Sequence, residues 1–259
     1  MLFVCTAILG QMSCEPTASL CSADAIEWLK AVPVSSVDLV ITDPPYESLE
    51  KHRAIGTTTR LKHSKASSND WFKIFPNARF EDLFSGVYKI LKKNAHFYLF
   101  CDQETMFVAK PIAEAVGFRF WKPLVWDKVK IGMGYHYRAR YEFILFFEKG
   151  KRKLNDLGVS DVIQVPRIYR GYPTEKPPAV SEVLIHQSTT EGELVADPFV
   201  GAGGTGVAAA NLGRHFIGND ICEEAVNIAS DRLVSAGATV TKETCDSVIT
   251  TDNQLGLAL

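Results

Sequence analysis

Val195-Ala196-Asp197-Pro198-Phe199-Val200-Gly201-Ala202-Gly203-Gly204-Thr205-Gly206 is the stretch that decides the fold. An apolar run ends in an acid, passes through a glycine-rich turn and enters an Ala-rich segment, the pattern of strand, turn and helix. Glycines let such a turn close tightly and let a ligand come near the backbone. The helix that follows offers unpaired N–H groups to a negative group.

The next apolar run, His215–Asn219, ends at Asp220, whose carboxylate is placed to accept hydrogen bonds from ribose hydroxyls. Gly201, Gly203 and Gly206 fit G-x-G-x-x-G, with Asp220 19 positions after Gly201. These features support an adenosine-containing cofactor on a parallel sheet. They leave open which one, and a nicotinamide dehydrogenase explains them as well.

Working outward, short apolar runs alternate with amphipathic stretches, which reads as α/β. Strands are predicted at Ala18–Ser22, Val37–Thr42, Ala95–Phe100, Pro123–Asp127, Tyr141–Phe147, Glu193–Asp197 and His215–Asn219. Helices are predicted at Ala23–Ala31, Phe80–Leu91, Glu104–Val116, Pro177–Gln187, Gly204–Leu212 and Glu223–Ala236. Met1–Gly10 is apolar without a preceding positive region, a poor signal peptide and a plausible first strand. The chain reads as a single domain, 1–259. It carries a polar, basic insertion at 47–79 and a weakly periodic tail from Thr239 to Leu259 that reads as loosely held.

Val37–Thr42 is a buried strand that ends in Asp43-Pro44-Pro45-Tyr46. Two prolines fix the backbone at the carboxyl end of a strand, where open α/β sheets place their ligands. Such a turn presents an acceptor carboxylate, the rigid Pro44 carbonyl and an aromatic ring together. That set suits an exocyclic amine: Asp43 and the carbonyl take its two hydrogens, while Tyr46 stacks on the base plane.

Composition narrows the class. Of 259 residues, 46% are hydrophobic and 22% charged, the balance of a globular chain rather than a disordered one. No apolar run reaches the length of a membrane span. Six cysteines without Cys-x-x-Cys spacing or a Cys/His cluster suggest reduced thiols in a cytoplasmic protein and no metal site. Residues 47–153 hold 21 Lys and Arg against 11 Asp and Glu, although the whole chain has a formal charge of −2. The densest basic stretch carries Lys51, Arg53, Arg60, Lys62 and Lys65. Arg138 and Arg140, beside Tyr135, His136 and Tyr137, form a second patch. A basic middle between acidic ends suggests one face that meets a polyanion.

Taken together, Asp43–Tyr46, Asp197–Gly203 and Thr174-Glu175-Lys176-Pro177 resemble the catalytic, cofactor and pocket-completing motifs of amino-group DNA methyltransferases that use S-adenosylmethionine. The catalytic motif precedes the cofactor motif, as in the circularly permuted beta class of that family. The resemblance runs from about Ser22 to Leu233. It implies a Rossmann-like, mostly parallel sheet of about seven strands with helices on both faces. It implies catalytic Asp43, Pro44, Pro45 and Tyr46. For the cofactor it implies Asp197, Pro198, Phe199, Gly201 and Gly203 at the amino-acid portion, Asp220 at the ribose, Asp24 near the adenine, and Thr174 with Lys176 near the carboxylate. Asp24 is equally read as the cap of the helix after it. The basic patches would contact DNA phosphates around a flipped base.

The family resemblance favours N6 of adenine over N4 of cytosine, because the motif begins with Asp. RNA is a lesser substrate variant, and a non-catalytic nucleic-acid-binding module is a further reading. The resemblance also raises pairing of two copies and a companion restriction enzyme. C5-cytosine chemistry is disfavoured, since no Pro-Cys dipeptide supplies its nucleophile. Ala202 and Gly204 depart from the family's usual Gly-Ser-Gly-Thr-Thr, removing two hydroxyls and weakening the expected cofactor contacts. Asn219 stands where an apolar residue is more usual.

Overall fold

The computed structural model describes residues 15–48, 73–132, 137–169 and 175–243. The order of elements is β1 (Thr17–Ser22), α1 (Ala25–Ala31), β2 (Val37–Thr42), α2 (Phe80–Ile90), β3 (Leu91–Cys101), α3 (Gln103–Val116), β4 (Arg119–Asp127) and β5 (Tyr141–Lys149). It continues with β6 (Val162–Gln164), α4 (Pro178–Ser188), β7 (Leu194–Asp197), α5 (Gly204–Asn211), β8 (His215–Asp220), α6 (Glu223–Ser235) and β9 (Thr239–Glu243).

The nine described strands form one sheet in the order β6-β4-β5-β3-β2-β7-β8-β1-β9. Every neighbouring pair is parallel except those made by β5, which runs against β3 and β4. Side chains alternate across a strand, so a sheet covered on both faces needs apolar residues at both parities. The central strands meet that demand. Phe97 and Leu99 of β3 face one core with α1, α2 and α3. Tyr98 and Phe100 face the other with α4, α5 and α6.

Local signals explain the helices. In α2, Phe80, Leu83, Phe84, Val87 and Ile90 are buried at helical spacing, and Glu81 and Asp82 sit in the first turn, where the helix dipole favours acids. Asp102 caps α3 by accepting from the Thr105 amide at 2.8 Å, and Gly117 ends it at φ 117°, a conformation that favours glycine.

Apart from the strand expected at Met1–Gly10, the predicted strands and helices are present among the described residues, and the sheet has two strands more. β6 is three residues long, with only Ile163 buried, too short to show an alternation. β9 begins in the stretch expected to be loosely held, yet it pairs with β1 from Thr17↔Thr239 to Cys21↔Glu243. Its sequence, TVTKE, is weakly apolar because it is an edge strand. The strand expected at Met1–Gly10 and the tail after Glu243 lie outside the described residues.

Candidate active site

From β2 the chain passes to β3 on one side, while β7 flanks β2 on the other. This is a switch point, where open sheets bind ligands beyond the carboxyl strand ends. A cavity of about 430 Å³ opens there, and both candidate turns, Asp43–Tyr46 and Asp197–Ala202, line it. The ends of β2 and β7 are tied by the Thr42 hydroxyl, which donates to Asp197 Oδ1 at 2.8 Å.

Both oxygens of the Asp43 carboxylate have donors. Tyr46 OH donates to Oδ1, and Lys176 Nζ donates to Oδ2. Lys176 also lies 3.2 Å from Glu142 Oε2, and Lys128 pairs with Glu142 Oε1. Burial alone would push the Glu142 carboxyl up, but Lys176 and Lys128 hold it below its ordinary value. Burial opposes the charge on Lys176, yet Asp43 and Glu142 overcome it and raise its pKa. Tyr46 is 9% exposed, and burial, reinforced by Asp43, pushes its phenol well above the ordinary value. Lys176, which the resemblance implied near a cofactor carboxylate, lines the cavity and here bonds to the Asp43 turn.

The glycine-rich turn is held from beneath. Gly201 has φ 49°, and a Cβ there would meet nothing within 4 Å. Its amide donates to Asp220 Oδ2 at 2.9 Å, while Cys222 donates to Oδ1 at 2.9 Å. Ile221 is a third backbone donor to this carboxylate, which has about four acceptor sites in all and so retains acceptor capacity. Gly203 does not line the cavity. It starts α5 at φ 77°, packed so that a Cβ would stand 2.9 Å from that of Ala229. Gly204 is where Lys176 comes close: a Cβ at Gly204 would lie 2.8 Å from the Lys176 carbonyl oxygen. The missing side chain therefore makes room for the 175–177 segment. Arg232 of α6 binds the Ala202 carbonyl at 2.5 Å and Glu175 at 2.7 Å, joining the same two segments. Asn219 is fully buried, and its Nδ2 donates to the Ala23 carbonyl at 3.0 Å and the Pro198 carbonyl at 3.3 Å, knitting three strand ends together.

The remaining wall comes from the last residues of the basic insertion, 75–79. Phe75 donates its amide to the Pro45 carbonyl at 2.8 Å and packs edge-on against Phe199 at 5.1 Å. The Arg79 guanidinium lies 5.2 Å over the Phe75 ring and grips Asp24 with bonds of 2.8 and 2.7 Å. Asp24 also caps α1, accepting from the Ile26 amide at 3.0 Å. Arg79, ahead of the amide bonds, holds the Asp24 carboxyl below its usual value. Both readings of Asp24 are therefore compatible with its place: it caps a helix and it lines the cavity.

Among the expected contacts, Lys51, Arg53, Arg60, Lys62, Lys65 and Thr174 lie outside the described residues. Arg138 is exposed at the carboxyl edge of the sheet and donates to the Gly132 carbonyl at 2.7 Å. Arg140 is committed to Asp127 through two 2.6 Å bonds. Sequence reasoning missed Phe75, Arg79, Glu142 and Ile221, which all line the cavity. Ile221 was findable as the apolar residue directly after Asp220, and it proves half exposed. The others carry no local signal, because three-dimensional return of the chain brings them in.

Residues 37–231 match the DNA methylase family. The chain belongs to that family. The matched span covers both candidate turns and every strand from β2 to β8. Type II methyltransferase M.HpaI of Haemophilus parainfluenzae is 29% identical over 247 residues, covering 83% of this methylase and 74% of the relative. DNA adenine methyltransferase YhdJ of Escherichia coli is 27% identical over 267 residues, covering 85% and 86%. The crystal structure of the M1.HpyAVI–SAM complex superposes with a TM-score of 0.63 at 25% identity, covering 84% of this methylase and 100% of that chain.

Proposed function

We propose that this methylase transfers a methyl group from S-adenosylmethionine to the exocyclic N6 amine of adenine in DNA. The observation that carries the proposal is the shared cavity: the Asp43–Tyr46 turn and the Gly201–Asp220 turn open onto one space at the switch point. The residues fit the cofactor. Gly201 leaves open the space a Cβ would fill, Asp220 retains acceptor sites for ribose hydroxyls, and Phe199 and Ile221 offer apolar surface to an adenine ring. Asp24, Asp197 and Pro198 complete that side. When bound, the cofactor supplies an electrophilic methyl group on a sulfonium. The complex of M1.HpyAVI with SAM supports this choice.

The protein's part is orientation. A base leaves the duplex at a cost of a few kcal/mol. Asp43 and the Pro44 carbonyl accept the two amine hydrogens, which turns the nitrogen lone pair toward the cofactor side of the cavity. Pro45 stiffens the turn, and Tyr46 bounds the base plane. Aligned geometry of this kind supplies much of the rate without a covalent intermediate. The exposed Arg138 and the basic insertion with Lys51, Arg53, Arg60, Lys62 and Lys65 are proposed phosphate contacts. Arg167 and Lys130, which lie 4.5 and 5.9 Å from the ring of the exposed Tyr169, extend that surface along the same sheet edge.

N4-cytosine is the alternative, because its amine presents the same two hydrogens and the family embraces both substrates. The likeness to the DNA adenine methyltransferase YhdJ and the leading Asp of the turn favour adenine. Incubation with labelled S-adenosylmethionine and unmethylated DNA, followed by nucleoside mass spectrometry, decides. N6-methyladenine supports the proposal, and N4-methylcytosine replaces the base while keeping the mechanism.

A further inference from the structure

Four charges alternate from β4 to the Asp43 turn: Lys128, Glu142, Lys176, Asp43. They are largely enclosed, with side-chain exposures of 20%, 29%, 17% and 26%. The Lys176 ammonium also lies 5.2 Å over the Phe100 ring and 6.0 Å over the Trp126 ring. Enclosed ion pairs add little to stability on balance, because desolvation offsets their attraction. Their effect here is geometric. Two donors, Tyr46 OH and Lys176 Nζ, grip the two Asp43 oxygens and so fix the plane of the carboxylate. Lys176 has a flexible four-carbon stem, and Glu142 is the group on the far side that stops it from swinging away.

We infer that Glu142 is a positioning residue for the proposed methyl transfer, acting through Lys176 to hold the Asp43 carboxylate in the orientation that receives the target amine. This rests on the methyltransferase reading above. A fixed carboxylate keeps its second lone pairs aimed at one place, and misplacement by about 1 Å is enough to cost about a hundredfold in rate. Nothing in the inference requires Glu142 to touch either substrate.

The test compares Glu142→Gln and Glu142→Asp with the wild-type protein. Steady-state kcat and KM are measured on DNA, and affinities for S-adenosylhomocysteine and 5′-methylthioadenosine are measured by calorimetry. Glu142→Gln is expected to lower kcat by roughly 10- to 100-fold while both affinities stay within about threefold, and Glu142→Asp to recover part of the rate. An unchanged kcat overturns the inference. So does a loss of affinity for S-adenosylhomocysteine but not for methylthioadenosine, because Lys176 then serves the amino-acid end of the cofactor. If Glu142→Gln fails to bind either nucleoside, Lys176→Arg takes its place under the same criteria. A wild-type protein that binds cofactor but methylates neither DNA nor RNA removes the methyltransferase reading itself, and the inference with it.

Discussion

Gly204 backs onto the Lys176 carbonyl so closely that a Cβ would stand 2.8 Å from that oxygen. The departure from the family's usual sequence is therefore a packing requirement. It lets the 175–177 segment lie against α5 and bring the Lys176 ammonium to Asp43.

Gly204→Ala and Gly204→Thr are accordingly expected to destabilise the protein by about 1–3 kcal/mol, because the neighbour is backbone and must shift. Restoring the more usual threonine is expected to harm this chain more than alanine does. Urea denaturation of the two variants checks the order. A threonine variant as stable as the wild type contradicts it.

Asp24 separates two roles by substitution. Asparagine keeps an acceptor for the Ile26 amide but removes the charge that binds Arg79. Alanine removes both. Asp24→Asn is expected to stay within about 0.5 kcal/mol of the wild type, while Asp24→Ala loses about 1 kcal/mol. Both are expected to weaken S-adenosylhomocysteine binding. Unchanged affinity in both variants, measured by calorimetry, would leave Asp24 as a cap alone.

Burial pushes the Asp197 carboxyl up to about 7, despite hydrogen bonds from the Phe199 amide and the Thr42 hydroxyl. Its ordinary value is 3.8, so between these values the folded chain binds more protons than the unfolded one. The stability it contributes is present below pH 3.8 and is lost as the pH rises through 7. Asp197→Asn cannot titrate. Lowering the pH from about 7.5 to about 5.5 should therefore favour the wild type over the variant by roughly 2 kcal/mol. Urea melts of the cofactor-free proteins give the gap directly, and a gap independent of pH contradicts the assignment.

Arg138 and Arg140 are two residues apart and are expected to behave differently. Arg138→Ala and Arg167→Ala each remove a proposed phosphate contact, lowering the slope of log affinity against log salt by about 1. Arg140→Ala instead strips Asp127 of its paired guanidinium, the main influence holding that carboxyl low. It is expected to lower the melting midpoint with a smaller change in salt slope. Fluorescence anisotropy with a duplex, at several salt concentrations, distinguishes them. Equal slopes in all three variants would remove the patch from the DNA surface.

Much of this was legible in the sequence because local signals and tertiary structure agree. Val37–Thr42 reads as a strand buried on both faces, and each of its residues is buried. Asp43 and Asp197 sit at strand ends announced by prolines, and the two strands prove to be neighbours. What was hidden depends on long-range return. Arg79 meets Asp24 55 positions away, and Lys176 meets Asp43 133 positions away. No periodicity encodes such meetings. Glu142 lies within the predicted strand Tyr141–Phe147, and only the folded chain brings Lys128 and Lys176 to it. The approach of the Lys176 carbonyl to Gly204 is another such long-range meeting without a local signal.

The central claim is that the Asp43 carboxylate directs methyl transfer from a pocket that also binds the cofactor. Its most direct test is one pair of proteins, wild type and Asp43→Ala, assayed together with labelled S-adenosylmethionine and unmethylated DNA. The wild type is predicted to yield labelled N6-methyladenine. The variant is predicted to lose transfer by at least about 10³-fold while binding S-adenosylhomocysteine within about threefold of the wild type. Retention of transfer by Asp43→Ala would contradict the account.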